Sequence, residues 1–349
     1  MLPKHPSEIK RRWVFLSPKW KARTRHWHEP QWKLWRRSRV ARVIRLHKAL
    51  SQRELEARLS DFVRPGTPAV EPHHITNIKD ELHLIEASAE PVPFYTRRKM
   101  RKDLYLPLLQ EKQALYRGFL EITAQDTCGS VAERVVFQSL QAASNLALKP
   151  HRLGNVREIN GRTTQGSLDS YAYVTLSGQG LQRHAVPIGI EVKNIREWVY
   201  PESSELWQAL RAAVELECVP ILVTRRIHIT TGRFCKSIGM LAHETQKQYF
   251  ARSLESDSRL LAAHDGLYFR DVIAWEAADP SVTKFFEVTL PTVLDRTVQN
   301  FAKFGDLIRT YAIDAQLHND HLHLEVRKKR FAGFRDEYKR LTGETTPGW

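Results

Sequence analysis

A short apolar segment that carries two opposite charges limits the possible folds of this chain most strongly. Residues 188–193 read Ile-Gly-Ile-Glu-Val-Lys, which places Glu191 and Lys193 two positions apart. In a β-strand such side chains project from the same face, so the two charged groups should lie side by side. Burying unpaired charge is expensive. The segment therefore predicts a strand with two charges that act together, and a salt bridge on a half-exposed strand is the simpler alternative.

A second acid, Asp169, lies in another strand-like segment, residues 167–176. Its place in an apolar alternation favours a role beside Glu191, with a turn or edge-strand acid as the alternative. Magnesium prefers carboxylate, water and phosphate oxygens, and it can activate water and neutralise charge that builds on a phosphate. A neighbouring lysine could stabilise the same charge. These residue types are those that a magnesium-dependent phosphodiester hydrolase needs.

The hydrophobic pattern downstream of Cys128 alternates between helical and strand periodicity. It predicts helix, three strands, helix and strand over residues 130–146, 151–159, 167–176, 186–193, 203–217 and 219–224. Further elements are predicted at 233–250 (helix), 266–276 (strand), 291–311 (helix) and 326–342 (helix). The chain should therefore be α/β in the broad sense, with helices and strands mixed (α+β).

This order, with an acid followed by acid-x-lysine, resembles the PD-(D/E)xK nuclease superfamily over about residues 128–226. The resemblance implies a restriction-endonuclease-like αβββαβ core. It implies that Asp169 and Glu191 bind Mg²⁺, with Mn²⁺ as a substitute and the carbonyl of Val192 as a further ligand. It also implies that Lys193 positions or activates the attacking water. Leu168 stands where the motif that names the family has proline.

Two further residues match positions that many members of this family use. Glu133 lies on the first core helix, where an additional catalytic glutamate occurs, but Ser130-x-x-Glu133 also reads as a helix-capping box. Gln208 matches a glutamine on the helix after the acid-x-lysine pair, and an ordinary helix-surface role is the alternative. The resemblance therefore adds Glu133 and Gln208 to the candidate catalytic residues.

Positive charge is concentrated at the beginning of the chain. The whole chain has a net charge of +15, and residues 1–60 contain 17 Lys and Arg against four Glu, a net +13. Such an uneven distribution favours an extended polyanion as partner. Five of the nine tryptophans lie among these basic residues, at positions 13, 20, 27, 32 and 35. Phosphates could be neutralised by Arg11, Arg12, Arg36 and Arg37 while the indoles stack on bases. The alternative is that the tryptophans pack on the protein itself. A minor alternative is that the segment is an organellar targeting peptide.

Residues 38–102 have the pattern of a winged-helix-like DNA-binding domain. Helices are predicted over 38–50 and 51–59, the second with a Ser51–Glu54 capping box. A third helix over 72–87 should bury Ile75, Ile78, Leu82 and Ile85. Its outward residues, His74, Thr76, Asn77 and Lys79, would then contact base edges. Residues 92–101 could form a basic wing, and a small helical bundle that only packs is the alternative.

Other features exclude several classes of protein. The three cysteines are far apart and form no Cys-x-x-Cys pair, which argues against disulfides and structural zinc. A reducing compartment fits this cysteine pattern best, so we expect a cytoplasmic, nucleoid-associated protein. No window approaches the ~18 apolar residues of a spanning helix. The predicted domains are an arm (1–37), the winged-helix-like domain (38–102), a connecting helix (103–127), the nuclease domain (128–276) and a C-terminal helical extension (277–349).

Together these features predict a metal-dependent DNA endonuclease of the restriction, phage-defence, recombination or transposition type. The expected partners are DNA and either a second copy of the chain or other proteins of a larger assembly, without a membrane. Two alternatives stay open. One is a DNA-binding regulator or assembly factor whose nuclease-like core is inactive, and the other is an RNA-processing nuclease.

Overall fold

The computed structural model describes residues 1–8, 18–61, 68–124, 127–143, 148–176, 184–345, 347 and 349. The helices among them are α1 (Pro18–Thr24), α2 (Glu29–His47), α3 (Gln52–Glu56), α4 (Pro72–Glu81), α5 (Lys102–Ala124), α6 (Thr127–Ala142), α7 (Ser204–Leu216), α8 (Ile229–Ile238), α9 (Ser258–Gly266), α10 (Pro280–Lys284), α11 (Leu290–Arg309) and α12 (Leu324–Thr342). The strands are β1 (Leu50–Ser51), β2 (Leu84–Ser88), β3 (Phe94–Arg97), β4 (Leu148–Ile159), β5 (Arg162–Leu176), β6 (His184–Lys193), β7 (Val219–Thr224), β8 (Leu241–Glu244), β9 (Gln248–Phe250) and β10 (Val272–Ala274). The predicted mixture of helices and strands is thus confirmed.

The chain divides into two compact units whose limits differ from the predicted domains. The first unit is Met1–Asp126 with Ala251–Ala274, and the second is Thr127–Phe250 with Trp275–Trp349. The predicted connecting helix, α5, is therefore an integral part of the first unit. The predicted C-terminal extension is no separate domain, because Phe304, Phe334 and Tyr338 are buried in the same hydrophobic core as Trp207 of α7.

The first unit contains helices α1, α2, α3, α4, α5 and α9 and a small antiparallel sheet. Its sheet has the strand order β1-β3-β2, and α2, α3 and α4 pack around a shared core that includes Val40, Ile44 and Ile75. The Ser51–Glu54 capping box is present: the Glu54 N–H donates to Ser51 Oγ (3.2 Å), and the Ser51 N–H donates to Glu54 Oε2 (3.1 Å). The short second helix was therefore correctly predicted at its start.

Two boundaries predicted in this unit are wrong. The first long helix begins at Glu29 rather than at residue 38, with Pro30 in its first turn, so residues 29–37 of the predicted arm are helical. The third helix ends at Glu81 rather than at residue 87. His83 adopts a positive φ of 48°, which breaks the helix, and the chain continues as strand β2. Ile85, predicted to be buried, is consequently 39% exposed.

The second unit is built on a five-stranded sheet of described residues with the order β4-β5-β6-β7-β8. Strands β4, β5 and β6 pair antiparallel, whereas β6, β7 and β8 pair parallel. Helix α7 packs against β5, β6 and β7, and α6 packs against β4, β6 and β9. The elements α6, β4, β5, β6, α7 and β7 follow the predicted order. Gly189 permits close packing of β6, since a Cβ there would collide with the side chains of Leu168 and Cys218.

The secondary structure of residues 229–276 departs from the prediction. The helix predicted over 233–250 ends at Ile238, because Gly239 takes a left-handed φ of 79° at its C-cap. Strands β8 and β9 follow within the predicted helical range. The strand predicted over 266–276 shrinks to Val272–Ala274 and belongs to the first unit. No helix among the described residues is long and apolar enough to cross a membrane.

Candidate active site

Asp169 and Glu191 lie opposite each other on neighbouring strands of the second unit. The antiparallel ladder of β5 and β6 ends at the pair Ser170 and Ile190. Asp169 and Glu191 are the residues that adjoin this pair on the two strands, and they interact electrostatically. Directly opposed residues of antiparallel strands have Cβ atoms about 5 Å apart on one face of the sheet. The structure therefore brings the two predicted acids together.

Glu191 and Lys193 form a nearly buried ion pair. The Lys193 ammonium lies 2.6 Å from Glu191 Oε1, as expected for side chains two positions apart on one strand. Glu191 is only 6% exposed. Its second oxygen, Oε2, is buried and accepts no hydrogen bond from any described residue. One carboxylate oxygen is thus paired, and the other lacks the partner that a buried polar atom normally has.

Asp169 is fixed to the strand that carries the other two groups. Its Oδ2 accepts a hydrogen bond from the backbone N–H of Val192 at 2.6 Å. The carbonyl of Lys193 is held from the other side, since Thr224 Oγ1 donates to it at 2.9 Å. The middle of β5 and the ends of β6 and β7 are therefore tied together where the charged groups lie.

Glu133 reaches the same cluster from helix α6. Its carboxylate is half-buried and interacts electrostatically with both Asp169 and Lys193. Helix α6 begins at Thr127, so Ser130 lies inside the helix and is not its N-cap. Ser130 and Glu133 therefore do not form the capping box that was the alternative to a catalytic role for Glu133.

The electrostatic environment disfavours ionisation of all three acids. Burial, reinforced by the charge of Asp169, raises the pKa of Glu191 to about 7. Burial also raises the pKa of Asp169, against the opposing hydrogen bond from Val192. Burial and the proximity of Asp169 raise the pKa of Glu133. Burial lowers the pKa of Lys193, but Glu191 and the other nearby carboxylates outweigh it, so the net pKa is raised. The cluster thus has more negative groups than cations to balance them.

These residues fit a hard divalent cation. Two opposed carboxylates, one with a buried unpaired oxygen, provide the oxygen donors that Mg²⁺ prefers, and this ion commonly keeps waters on its other positions. The acids do not form a closed cage, because Glu133, Asp169 and Glu191 are not all within 4.8 Å of one another. Within the described residues, the one group of three that meets this distance is Glu71, His73 and His74 in the first unit. Its two imidazoles suit softer metals better than Mg²⁺.

Gln208 is not joined to the cluster by any hydrogen bond among the described residues. Its amide donates to the carbonyl of His318 at 3.3 Å instead. Two residues that the sequence did not indicate take part in the site's surroundings. Glu205, one turn before Gln208 on α7, interacts electrostatically with Lys193. Asn194 bonds to the segments packed beside the end of β6. Neither belongs to a recognisable motif.

The residues predicted to contact DNA have different surroundings. Thr76 and Asn77 of α4 are exposed, whereas His74 is half-buried with its ring 3.8 Å from that of His73. The Lys79 ammonium lies 3.9 Å from the ring centre of Tyr95. Of the four residues of α4 predicted to contact base edges, Thr76 and Asn77 are therefore the two that are accessible to solvent.

The basic arm contains both paired and accessible arginines. Arg36 donates to both oxygens of Glu29, at 2.7 and 3.3 Å. Arg37 is exposed and has no hydrogen bond or ion pair with the described residues. Arg11 and Arg12 lie outside the described residues.

Three of the tryptophans in this region contact one another. The rings of Trp27 and Trp32 are 5.0 Å apart, and those of Trp32 and Trp35 are 5.8 Å apart, both edge to face. Trp35 also packs against the core of the first unit. These contacts match the packing alternative for Trp27, Trp32 and Trp35.

Comparison of the chain with protein-family models, with curated proteins and with solved structures gave no match. What the site does must therefore be inferred from its residues and their geometry.

Proposed function

We propose that the chain is a metal-dependent DNA endonuclease that hydrolyses phosphodiester bonds at Asp169, Glu191 and Lys193. The observation that carries this proposal is the state of Glu191. Glu191 already pairs with Lys193, but its unpaired oxygen and the second carboxylate beside it are costly to bury unless a further cation joins them. The raised pKa values of the three acids point in the same direction.

A Mg²⁺ ion, or Mn²⁺ in its place, would be held by Asp169 and Glu191, with the carbonyl of Val192 as a further oxygen donor. When bound, the ion would lower the pKa of a water and neutralise charge on the scissile phosphate. Asp169 can serve such a site without moving its strand, since the Val192 N–H already fixes one of its oxygens.

Lys193 contributes a fixed positive charge. Its raised pKa keeps the ammonium protonated at neutral pH, so it acts as a cation and hydrogen-bond donor toward phosphate oxygens. A protonated lysine cannot accept the proton of the attacking water. We therefore assign Lys193 to electrostatic stabilisation and positioning, and not to general-base catalysis.

Glu133 is assigned to the edge of the site. Its carboxylate is half-buried and close enough to interact with Asp169 and Lys193. From there it can orient solvent beside the phosphate. Gln208 is left out of the proposed mechanism because its amide is engaged by the carbonyl of His318.

The arrangement of the second unit supports a restriction-endonuclease-like core. Three antiparallel strands are followed by a parallel strand reached through α7, and the acids lie on the second and third strands, as the resemblance implies. Helix α6 precedes these strands and supplies Glu133. We propose that this αβββαβ arrangement is the catalytic core.

We propose that the first unit is winged-helix-like and binds DNA. Helices α2, α3 and α4 and the antiparallel sheet β1-β3-β2 have the composition of such a domain, and α4 presents Thr76 and Asn77 to solvent. The net charge of +13 in residues 1–60 favours a polyanionic partner. A second copy of the chain could be needed to cut both strands of a duplex.

Incubation of the purified protein with plasmid, linear duplex, branched and single-stranded DNA, and with RNA, tests the proposal. We expect Mg²⁺ or Mn²⁺ to support DNA cleavage and EDTA to abolish it. Cleavage of RNA alone would replace the proposal with an RNA-processing nuclease. DNA binding without cleavage under any metal condition would replace it with a DNA-binding protein that has an inactive core.

A further inference from the structure

Asn194 makes an unusually complete set of hydrogen bonds directly after the candidate lysine. Its Nδ2 donates to the carbonyl of Cys128 at 2.8 Å and to the carbonyl of Tyr249 at 2.7 Å. Its Oδ1 accepts from the N–H of Tyr249 at 3.0 Å. The side-chain amide therefore satisfies both backbone groups of Tyr249 and, in addition, one carbonyl of another segment.

These bonds connect three elements of the second unit. Asn194 follows the last residue of β6, Tyr249 is the central residue of β9, and Cys128 lies in the first turn of α6. Glu133 is five residues further along the same helix. Asn194 is thus a direct link between the strand that carries Lys193 and the helix that carries Glu133.

The partners of Asn194 are themselves immobilised. Tyr249 is buried, and its hydroxyl donates to Asp279 at 2.8 Å. Asp279 in turn lies 2.5 Å from the Lys247 ammonium. The anchor on the β9 side is therefore a buried, charged network and not a free loop.

The thiol of Cys128 takes part in this link, since Asn194 Nδ2 also donates to Cys128 Sγ at 3.0 Å. Burial raises its pKa to about 12, so it stays protonated, and its S–H donates to the Tyr249 carbonyl at 3.4 Å. No charge develops next to the Asn194 amide at neutral pH. The bond from Asn194 to the Cys128 backbone does not depend on the cysteine side chain.

We infer that Asn194 is a positioning residue that fixes Glu133 relative to Lys193 and the two opposed acids. This inference rests on the proposed function, since it gives Glu133 a task at a divalent-cation site. Glu133 lies on a helix, whereas Asp169, Glu191 and Lys193 lie on strands, so its distance from them depends on how α6 is docked. The packing of α6 on β4, β6 and β9 sets the general docking, and Asn194 fixes the N-terminal end of the helix to the end of β6.

Binding of Mn²⁺ to the full-length protein tests the inference without reference to cleavage. Groups that surround a metal site without binding the ion typically change metal affinity by about 10- to 100-fold when replaced, and Glu133, held in place by Asn194, is such a group. We expect Asn194→Ala to weaken Mn²⁺ binding within this range. Asn194→Asp, which keeps the acceptor but loses the three bonds that Nδ2 donates, should also weaken it. Cys128→Ala removes only the bond from Asn194 to Sγ and keeps the bonds to the two backbone carbonyls, so it should weaken Mn²⁺ binding less than Asn194→Ala does.

A double-mutant cycle separates positioning from a general loss of structure. If Asn194 acts through Glu133, the two losses of affinity should not add. The Glu133→Gln/Asn194→Ala protein should then bind Mn²⁺ as tightly as whichever single variant has the lower affinity. Asn300→Ala, which removes an amide-to-carbonyl bond elsewhere in the same unit, controls for ordinary loss of a hydrogen bond. Circular dichroism and thermal melting confirm that each variant is folded at the assay temperature.

The outcomes that overturn the inference differ from those that overturn the proposed function. Wild-type Mn²⁺ affinity in both Asn194 variants, or losses that multiply in the double variant, would overturn the positioning role alone. A wild-type protein that binds no Mn²⁺, or binds it equally well as Asp169→Asn, would overturn the proposed metal site and the inference together.

Discussion

Asp169 accepts a hydrogen bond from the backbone N–H of Val192 at 2.6 Å, so the acid of β5 is fixed to the strand of Glu191 and Lys193. This bond makes the placement of Asp169 independent of any ligand. It also gives the residue two separable properties, a charge and an anchoring acceptor. The two can be tested with different substitutions.

Asp169→Asn should keep an oxygen for the Val192 N–H but lose the charge. We expect this variant to lose metal affinity and cleavage activity by more than about 100-fold, since replacing even a residue that supports metal ligands can cost that much. Its melting temperature should change little. Asp169→Ala should show the same functional loss and also a destabilisation of about 1.5–3 kcal/mol, typical of a hydrogen bond to a charged group. Equal stability of the two variants in urea unfolding would show that the bond is not an anchor.

Glu191 predicts a pH dependence of the metal-free protein. Its pKa in the folded state is raised from 4.5 to about 7, so the folded state favours the protonated acid. Protonated Glu191 therefore stabilises the folded state, and this stabilisation is fully present below pH 4.5 and is lost as the pH rises through about 7. Melting in EDTA should therefore show the wild type losing stability over this range relative to Glu191→Gln. Added Mg²⁺ should stabilise the wild type more at pH 8 than at pH 5, because protons and metal compete for the same carboxylate. A pH-independent difference between the two proteins would contradict this.

The first unit contains a buried ion pair that predicts a large effect on folding. The Lys112 ammonium lies 2.7 Å from Glu54 Oε1, and Glu54 is fully buried. Burial raises the pKa of Glu54 and lowers that of Lys112. Lys112→Met leaves the acid without its cation and should reduce the free energy of unfolding by about 3–5 kcal/mol. The Glu54→Gln/Lys112→Met double variant should recover part of this loss. A change of only about 0.5 kcal/mol in the single variant, as at an ordinary surface position, would contradict the expectation.

Arg36 and Arg37 form a matched pair for testing DNA contact. Arg36 is held by both oxygens of Glu29, whereas its neighbour Arg37 is exposed. If Arg37 contacts a phosphate, Arg37→Gln should reduce the slope of log affinity against log salt by about 1. Arg36→Gln should leave the slope nearly unchanged, because its charge is already paired. Equal slopes for Arg37→Gln and the wild type in fluorescence-anisotropy titrations would exclude the phosphate contact.

Local patterns predicted the parts of the fold that local interactions determine. The two-residue spacing of Glu191 and Lys193 placed them on one strand face, and the Ser51–Glu54 box marked the start of α3. Helix α4 was predicted too long, because Leu82 and Ile85 continue a helical spacing that the positive φ of His83 interrupts. A single-residue backbone conformation of this kind has no reliable signature in the sequence.

Features that depend on tertiary contacts could not be predicted. Phe334 and Trp207 share one core although they are more than a hundred positions apart, so the C-terminal helices could not be assigned to the second unit from their pattern. Asn194 and Glu205 belong to no motif, and their roles follow only from the neighbours that the fold supplies. Gln208 shows the reverse case, since a family position predicted a site residue that bonds elsewhere.

The central claim is tested most directly by cleavage of supercoiled plasmid with Mg²⁺ or with EDTA, comparing wild type, Glu191→Gln and Lys193→Met. DNA binding of each protein is measured in parallel. We predict that the wild type nicks or linearises the plasmid only with metal, and that both variants bind DNA normally but fail to cut it. Undiminished cleavage by Glu191→Gln and Lys193→Met would contradict the account, because no hydrolytic site could then lie at the end of β6.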